Sequence, residues 1–152
     1  MTETTIRRAT EADVAAIVAM LADDPLGATR EQPGPPLPEA YLDAFRRIDA
    51  DPNQLLAAAE RDGAVIGTLQ ITFLASLSRL GATRGQIEAV RVAAPARGMG
   101  LGGTLIDWAV EQCRERGCVM VQLTSDASRK EAHRFYERLG FKASHVGFKR
   151  PL

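Results

Sequence analysis

Cysteine is scarce: the 152 residues hold only Cys113 and Cys118. Their spacing suits neither a zinc site nor a Cys-x-x-Cys redox pair, so no metal site is expected and both are read as small buried hydrophobes. A charge of one sign is also lacking, because nineteen basic residues balance nineteen acidic ones. No overall field then draws the chain to nucleic acid or to an anionic membrane, and neither is expected as a partner. No apolar run approaches a membrane span, and Met1-Thr2-Glu3-Thr4-Thr5 is not a basic segment leading into an apolar one. A cytoplasmic location is therefore expected. The length suits one domain, 1–152, with a proper core.

What the chain does have is glycine in an unusual place. Four glycines, Gly98, Gly100, Gly102 and Gly103, fall within six residues. They follow a β-branched stretch from Ile87 to Val92 that Pro95 terminates, and they open a helix whose apolar face is Leu101, Leu105, Trp108 and Ala109. Glycine there costs roughly 1 kcal/mol relative to alanine at each position. A ligand that must approach the backbone closely accounts for that choice. The free N–H groups and positive dipole end of a helix N-terminus suit an anion, and Arg97 adds a fixed charge that can pair with phosphate oxygens.

Spacing sorts the ligands that use such turns. A P-loop needs lysine after its last glycine, and none is present. The dinucleotide pattern Gly-x-Gly-x-x-Gly is met by Gly98, Gly100 and Gly103, with Asp126 at about the distance of a ribose-binding acid. A doubly wound domain, however, opens with that motif, and here only 26 residues follow Asp126. The motif comes too late in the chain.

The remaining elements read as follows. Thr4 to Arg8 is a strand, and Thr10 caps a helix with Val14, Ile17, Val18 and Leu21 on one face. Asp23 to Pro38 is a proline-rich loop, and a short helix carries Leu42, Phe45 and Ile48. Gln54 to Glu60 and Ala64 to Phe73 form a hairpin about Asp62-Gly63, with a bulge expected at Gly67. After the glycine helix, Gly117 leads into a strand from Val119 to Leu123, parallel to the central one. A helix from Arg129 to Leu139 and a last strand from Phe141 to Lys149 close the chain. The order β-α-α-β-β-β-α-β-α-β gives an α/β class with a mixed sheet.

Arg97-Gly98-Met99-Gly100-Leu101-Gly102 resembles the Arg/Gln-x-x-Gly-x-Gly/Ala signature of the GCN5-related N-acetyltransferases (GNAT). Ala132-His133-Arg134-Phe135-Tyr136-Glu137-Arg138-Leu139-Gly140-Phe141 is similar to that family's second signature, a helix bearing tyrosine followed by Leu-Gly-Phe. The resemblance implies a sheet whose fourth and fifth strands splay to admit acetyl-CoA as co-substrate. It implies that Val90 and Val92 pair with the pantetheine arm, the Val92 N–H facing the thioester oxygen, with Arg91 on the other face of the strand. Arg97, Gly98, Met99, Gly100, Leu101, Gly102 and Gly103 would cradle the pyrophosphate. Tyr136 would be the general acid toward the thiolate and Glu88 is the candidate base, directly or through water, with His133 or His145 able to stand in its place. Arg129 stands seven residues before the tyrosine, where many relatives carry asparagine, and could bind a CoA phosphate or merely open a helix.

The activity implied is direct transfer of acetyl from acetyl-CoA to a primary amine of a small molecule in a ternary complex. Acetylation of protein N-termini and a non-catalytic acyl-CoA sensor remain the alternatives. Asp23 and Asp24 could add to a negative pocket for a cationic acceptor. His145 is a candidate substrate contact, and His133 is read as structural. Ala132 to Lys149 is also locally similar to aminoalkylphosphonate acetyltransferases. A homodimer is a further expectation from the resemblance.

Overall fold

In this computed structural model, which describes residues 2–152, five strands form one sheet in the order β1-β2-β3-β4-β5. They are β1 (Thr5–Arg8), β2 (Gln54–Arg61), β3 (Ala64–Ala75), β4 (Thr83–Val92) and β5 (Met120–Leu123). The first four pair antiparallel, and β4 pairs parallel with β5 through helix α4 (Leu101–Glu115). The mixed sheet read from the sequence is present. The hairpin between β2 and β3 turns on Asp62 and Gly63, both with positive φ, which matches the right-handed twist of the flanking strands.

Helices cover both faces. On one, α4 lays Leu101, Leu105, Ile106, Ala109 and Cys113 against Leu69, Ile71, Phe73 and Ile87. On the other, α1 (Val14–Ala22) and α2 (Glu39–Ala50) pack Val14, Ile17, Val18 and Phe45 against Ala58. Each fully buried Leu, Ile or Phe contributes roughly 1.5–3 kcal/mol. Small residues on the strands let α4 approach. A Cβ on Gly67 would lie 3.0 Å from Cδ1 of Leu105, and one on Gly85 would overlap Sγ of Cys113. Cys113 is buried, as expected, and burial first, then the neighbouring Cys118, pushes its thiol up to about 12. A thiol in that state is no nucleophile.

The N-terminal strand is tied to α1 by charge. Arg7 reaches Asp13 at 2.7 Å and Glu60 at 2.9 Å, while Asp13 also accepts the Thr10 N–H at 2.7 Å. Thr10 therefore does open this helical segment, beginning with a 3-10 turn at Glu11–Asp13.

Three irregularities matter. Between β2 and β3 the register jumps from Ala59↔Gly67 to Glu60↔Val65, so Ile66 is the extra residue beside the expected bulge at Gly67. Between β3 and β4 it jumps from Thr68↔Arg91 to Gln70↔Glu88, where Ala89 takes φ +55. This second bulge was not expected. Between β3 and β4 the chain makes one turn, α3 (Ser78–Gly81), whose Arg79 and Leu80 are left-handed.

One expected element is not formed. Phe141 to Lys149 pairs with no strand, and the order closes on helix α5 (Lys130–Arg138). Only Phe141 of that segment packs on the core, beneath Tyr136; residues 142–152 are exposed. The alternation is there, but no sheet edge of the same chain meets it.

Candidate active site

The site grows from the bulge at Ala89. Rungs between β4 and β5 run from Arg84↔Met120 to Ile87↔Leu123 and then stop. Beyond Ile87 one edge of β4 has no neighbouring strand. The N–H of Ala93 donates to the Ile66 carbonyl at 2.8 Å, on the β3 side. Because backbone groups alternate along a strand, those of Val90 and Val92 point the other way, into the gap. Arginine side chains meet both carbonyls: Nη1 of Arg91 donates to Val90 at 2.9 Å and Nε of Arg97 donates to Val92 at 3.1 Å.

At the end of that open edge stands the glycine turn. Gly98 and Gly100 both hold φ +80, a backbone that favours glycine, and a Cβ on either would meet nothing within 4 Å. Gly100 is the N-cap of α4 and offers no side chain to the first N–H groups of the helix. They are left to an external acceptor. Gly102 has a different reason for being glycine, since a Cβ there would come 3.2 Å from Cζ of Phe135 on α5. Gly103 faces Leu139 with room to spare, at 3.9 Å. Met99 is more than half exposed, and Leu101 is buried in the core. Two of the four glycines thus fit the ligand argument, and Gly102 is explained by helix packing.

Two polar atoms are buried without a protein partner beside the gap: Nε of Arg91 near the end of β4 and Oγ of Ser125 just past the end of β5. An open cradle, a bare strand edge and orphaned donors together fit an acyl-CoA, whose pyrophosphate and amide-bearing arm supply acceptors for them.

Around Tyr136 the structure collects charge. Its phenol sits edge-on to Phe135 and Phe141, with ring centroids 5.1 and 6.0 Å away. Burial raises its pKa, while Arg129 and Arg91 pull the other way. It is therefore protonated at neutral pH. Nη2 of Arg91 pairs with Asp24 at 3.1 Å, and the charges of Arg129 and Arg30 also bear on that carboxylate. Asp24 accepts the Gly27 N–H as well, which is the main reason its carboxyl lies below the usual range. Asp23 pairs with Nη2 of Arg97 at 3.0 Å. Both aspartates expected to form a negative pocket are thus matched by arginines, and the surroundings of Tyr136 carry more positive charge than negative.

Glu88 is exposed, free of ion pairs among the described residues, and one residue beyond the last β4–β5 rung. His133 Nε2 donates to the Asp126 carbonyl at 2.8 Å. Asp126 itself accepts Ser128 N–H and Oγ at 2.9 and 2.6 Å, a local turn that accounts for an acid at this position. His145 lies in the exposed terminal segment with only Ser144 beside it, and no hydrogen bond ties it to Tyr136 or Glu88. Sequence reasoning missed Ser125 and Arg30; neither stands in a motif.

Comparisons with known proteins agree with this geometry. The acetyltransferase (GNAT) family model matches residues 18–141. The aminoalkylphosphonate N-acetyltransferase of Salmonella typhimurium is 34% identical over 114 residues, 75% of this chain and 73% of that protein. Among solved structures, a protein described as a transcriptional regulator from Bacillus halodurans superposes with TM-score 0.96 at 48% identity, covering 99% of this chain and all of the other. An acetyltransferase from Trypanosoma brucei gives 0.80 at 26% identity, with 99% and 100% covered. A glycine cradle at the head of α4, a strand that parts from its neighbour at Ile87 and a family match over most of the length lead to one conclusion: the chain belongs to the GNAT acetyltransferase family, whose enzymes use acetyl-CoA.

Proposed function

We propose that this chain transfers the acetyl group of acetyl-CoA to a small primary amine that also carries an anionic group. The observation that carries the reading is the parting of β4 from β5 at Ile87, which opens the Val90 and Val92 backbone toward the glycine turn. Acetyl-CoA supplies the activated thioester. The N–H of Val92 is a fixed donor for the thioester oxygen, and fixed donors aimed at developing charge are worth more than mobile water. The free amides from Leu101 onward, with Gly98 and Gly100, take the pyrophosphate. Arg97 joins them on leaving Asp23, at a cost of about 1 kcal/mol or less, since both partners are half exposed.

Tyr136 delivers the proton to the leaving thiolate. Ordinary values near 10 for a phenol and 8.5 for a thiol make that transfer uphill by roughly 2 kcal/mol, and burial of Tyr136 widens the gap, which the preorganised site must offset. Glu88 takes the proton of the incoming ammonium, directly or through water. Arg91 and Arg129 flank Tyr136 and suit the acceptor's anion; their charge also favours the neutral, nucleophilic amine. The aminoalkylphosphonate specificity of the Salmonella typhimurium relative supports an acceptor of this kind.

A thiol-release assay with acetyl-CoA and an amine panel tests the proposal. An aminoalkylphosphonate should be turned over faster than the alkylamine of equal length, and Arg91→Met or Arg129→Met should raise KM for the phosphonate and leave that for the plain amine. Equal rates on both amines would remove the anionic acceptor. A second reading, an acyl-CoA-responsive module without catalysis, is favoured by the description of the Bacillus halodurans structure. CoA binding with no turnover on any amine of the panel would select it.

A further inference from the structure

Asp24 ties two positively charged elements together. Its carboxylate pairs with Nη2 of Arg91 on β4 at 3.1 Å, and its Oδ1 accepts the N–H of Gly27, which opens the 3-10 turn Gly27–Thr29. That turn is seated on the end of α1, for a Cβ on Gly27 would lie 1.9 Å from the Leu21 carbonyl oxygen. Arg30 follows at once, its N–H bonded to the Gly27 carbonyl at 3.1 Å. The root of its side chain is thereby fixed, while more than half of the side chain stays exposed.

A third arginine completes the group. Arg129 stands just ahead of α5 and has no ion pair among the described residues. Its charge, like that of Arg30, bears on both Asp24 and Arg91. Burial above all holds the Arg91 pKa below its ordinary value; Asp24 works against that shift, and Arg129 and Arg30 add to it. Nε of Arg91 is buried without a partner. Glu31 is turned toward Tyr41, whose hydroxyl donates to it at 3.0 Å, and Nε of Arg30 lies 3.9 Å from it, beyond a hydrogen bond. Around Arg91 three guanidiniums thus meet one carboxylate, and Tyr136, being protonated, adds no charge. Two positive charges are left over.

We infer that Arg30, Arg91 and Arg129 form a pocket for a phosphoryl-type dianion on the acceptor, a phosphonate or a phosphate monoester, and that Arg30 is the residue that selects it over a monoanion. The inference deepens the proposed function and rests on its reading that the acceptor carries an anionic group. A carboxylate offers two oxygens in one plane, which a single guanidinium takes by itself. A phosphonate offers three oxygens, one toward each of three arginines from separate elements, and its second charge answers the surplus. The diphosphate of CoA is placed elsewhere, at the head of α4, whereas Arg91 and Arg129 flank Tyr136.

Titration calorimetry on the full chain saturated with CoA, which has no acetyl group to give, tests this without turnover. The ligands are aminoethylphosphonate, aminoethyl phosphate and aminoethylsulfonate, the last a monoanion of the same tetrahedral shape. At about pH 8, where the phosphorus ligands are dianions, at least one of them should bind about 10-fold or more tightly than the sulfonate, and the tighter of the two names the headgroup. Arg30→Met should bring it to within about 2-fold of the sulfonate, with the affinities for the sulfonate and for CoA unchanged, and Arg30→Lys should restore part of the preference. Equal binding of dianions and sulfonate, or binding of neither, overturns the inference; where all of them exceed ethylamine, the anionic acceptor of the proposed function still stands. A preference undiminished in Arg30→Met, or a loss of CoA affinity in that variant, overturns it as well. A preference for the dianion that depends on Arg30, with no turnover once acetyl-CoA is supplied, upholds the inference and refutes the transferase reading instead.

Discussion

Helix α4 offers a matched pair of glycines on which the ligand argument can be judged. Gly100 at its N-cap has φ +80 and Gly117 just past its end has φ +77; an added Cβ meets nothing within 4 Å at either. Alanine at each place is forced into the left-handed region, at a cost of roughly 1–2 kcal/mol, offset by about 0.4–1 kcal/mol from a less free unfolded chain. The net loss, about 0.5–1 kcal/mol, should lower Tm by about 1–4 °C in a chain of this size. The two variants share that strain. Only Gly100→Ala sets a methyl group where the diphosphate must meet the helix amides. Losing one charge-assisted hydrogen bond costs about 1.5–3 kcal/mol, which weakens binding about 10- to 150-fold. Titration calorimetry with CoA, run beside thermal unfolding, should therefore find similar melting points and very different affinities. Wild-type affinity in Gly100→Ala would refute the backbone cradle, and an equal loss in Gly117→Ala would assign the effect to strain.

Other outcomes follow from the same geometry. Tyr136→Phe should reduce turnover about 10²- to 10⁴-fold with CoA affinity unchanged by calorimetry; because burial holds the phenol above its ordinary value, any loss of wild-type rate through this group begins only above about pH 10. Asp13 is held below the usual carboxylate range, chiefly by Arg7, so its stabilisation is present at neutral pH and lost as pH falls below about 4 through its folded value. Asp13→Asn should cost about 2 kcal/mol at pH 7 and flatten the acid limb of the melting curve. Gly85→Ala should destabilise by about 1–3 kcal/mol through overlap with Cys113, and Cys113→Ala in the same chain should recover much of that loss in urea unfolding.

The parts of the fold that follow local periodicity were legible: the apolar stripe of α1, the Asp62-Gly63 hairpin, and the helix from Gly100. The glycine turn announced itself because Gly98 and Gly100 need a backbone other residues avoid. Gly102 carried the same letter for another reason, contact with Phe135 across helices, which no local pattern reveals. The bulge at Ala89 was illegible, since an alanine with φ +55 is imposed by the neighbouring strands and has no glycine to mark it. Arg97 with Asp23 and Arg91 with Asp24 join positions far apart in the chain, so an expected acidic pocket became a set of ion pairs. Phe141 to Lys149 showed a strand pattern without saying where a partner edge would come from.

The added residue at Ala89 also reverses the phase of β4. Before it, odd-numbered Gly85 and Ile87 face α4; after it, even-numbered Val90 and Val92 pack on that same layer. In an unbroken strand Arg91 would follow Ile87 into the oil. Shifted by one, its guanidinium turns to the opposite layer and meets Asp24. A single step in the count thus unzips one neighbour and sorts charge from hydrocarbon, so an insertion or deletion anywhere between Ile87 and Val92 would scramble both together.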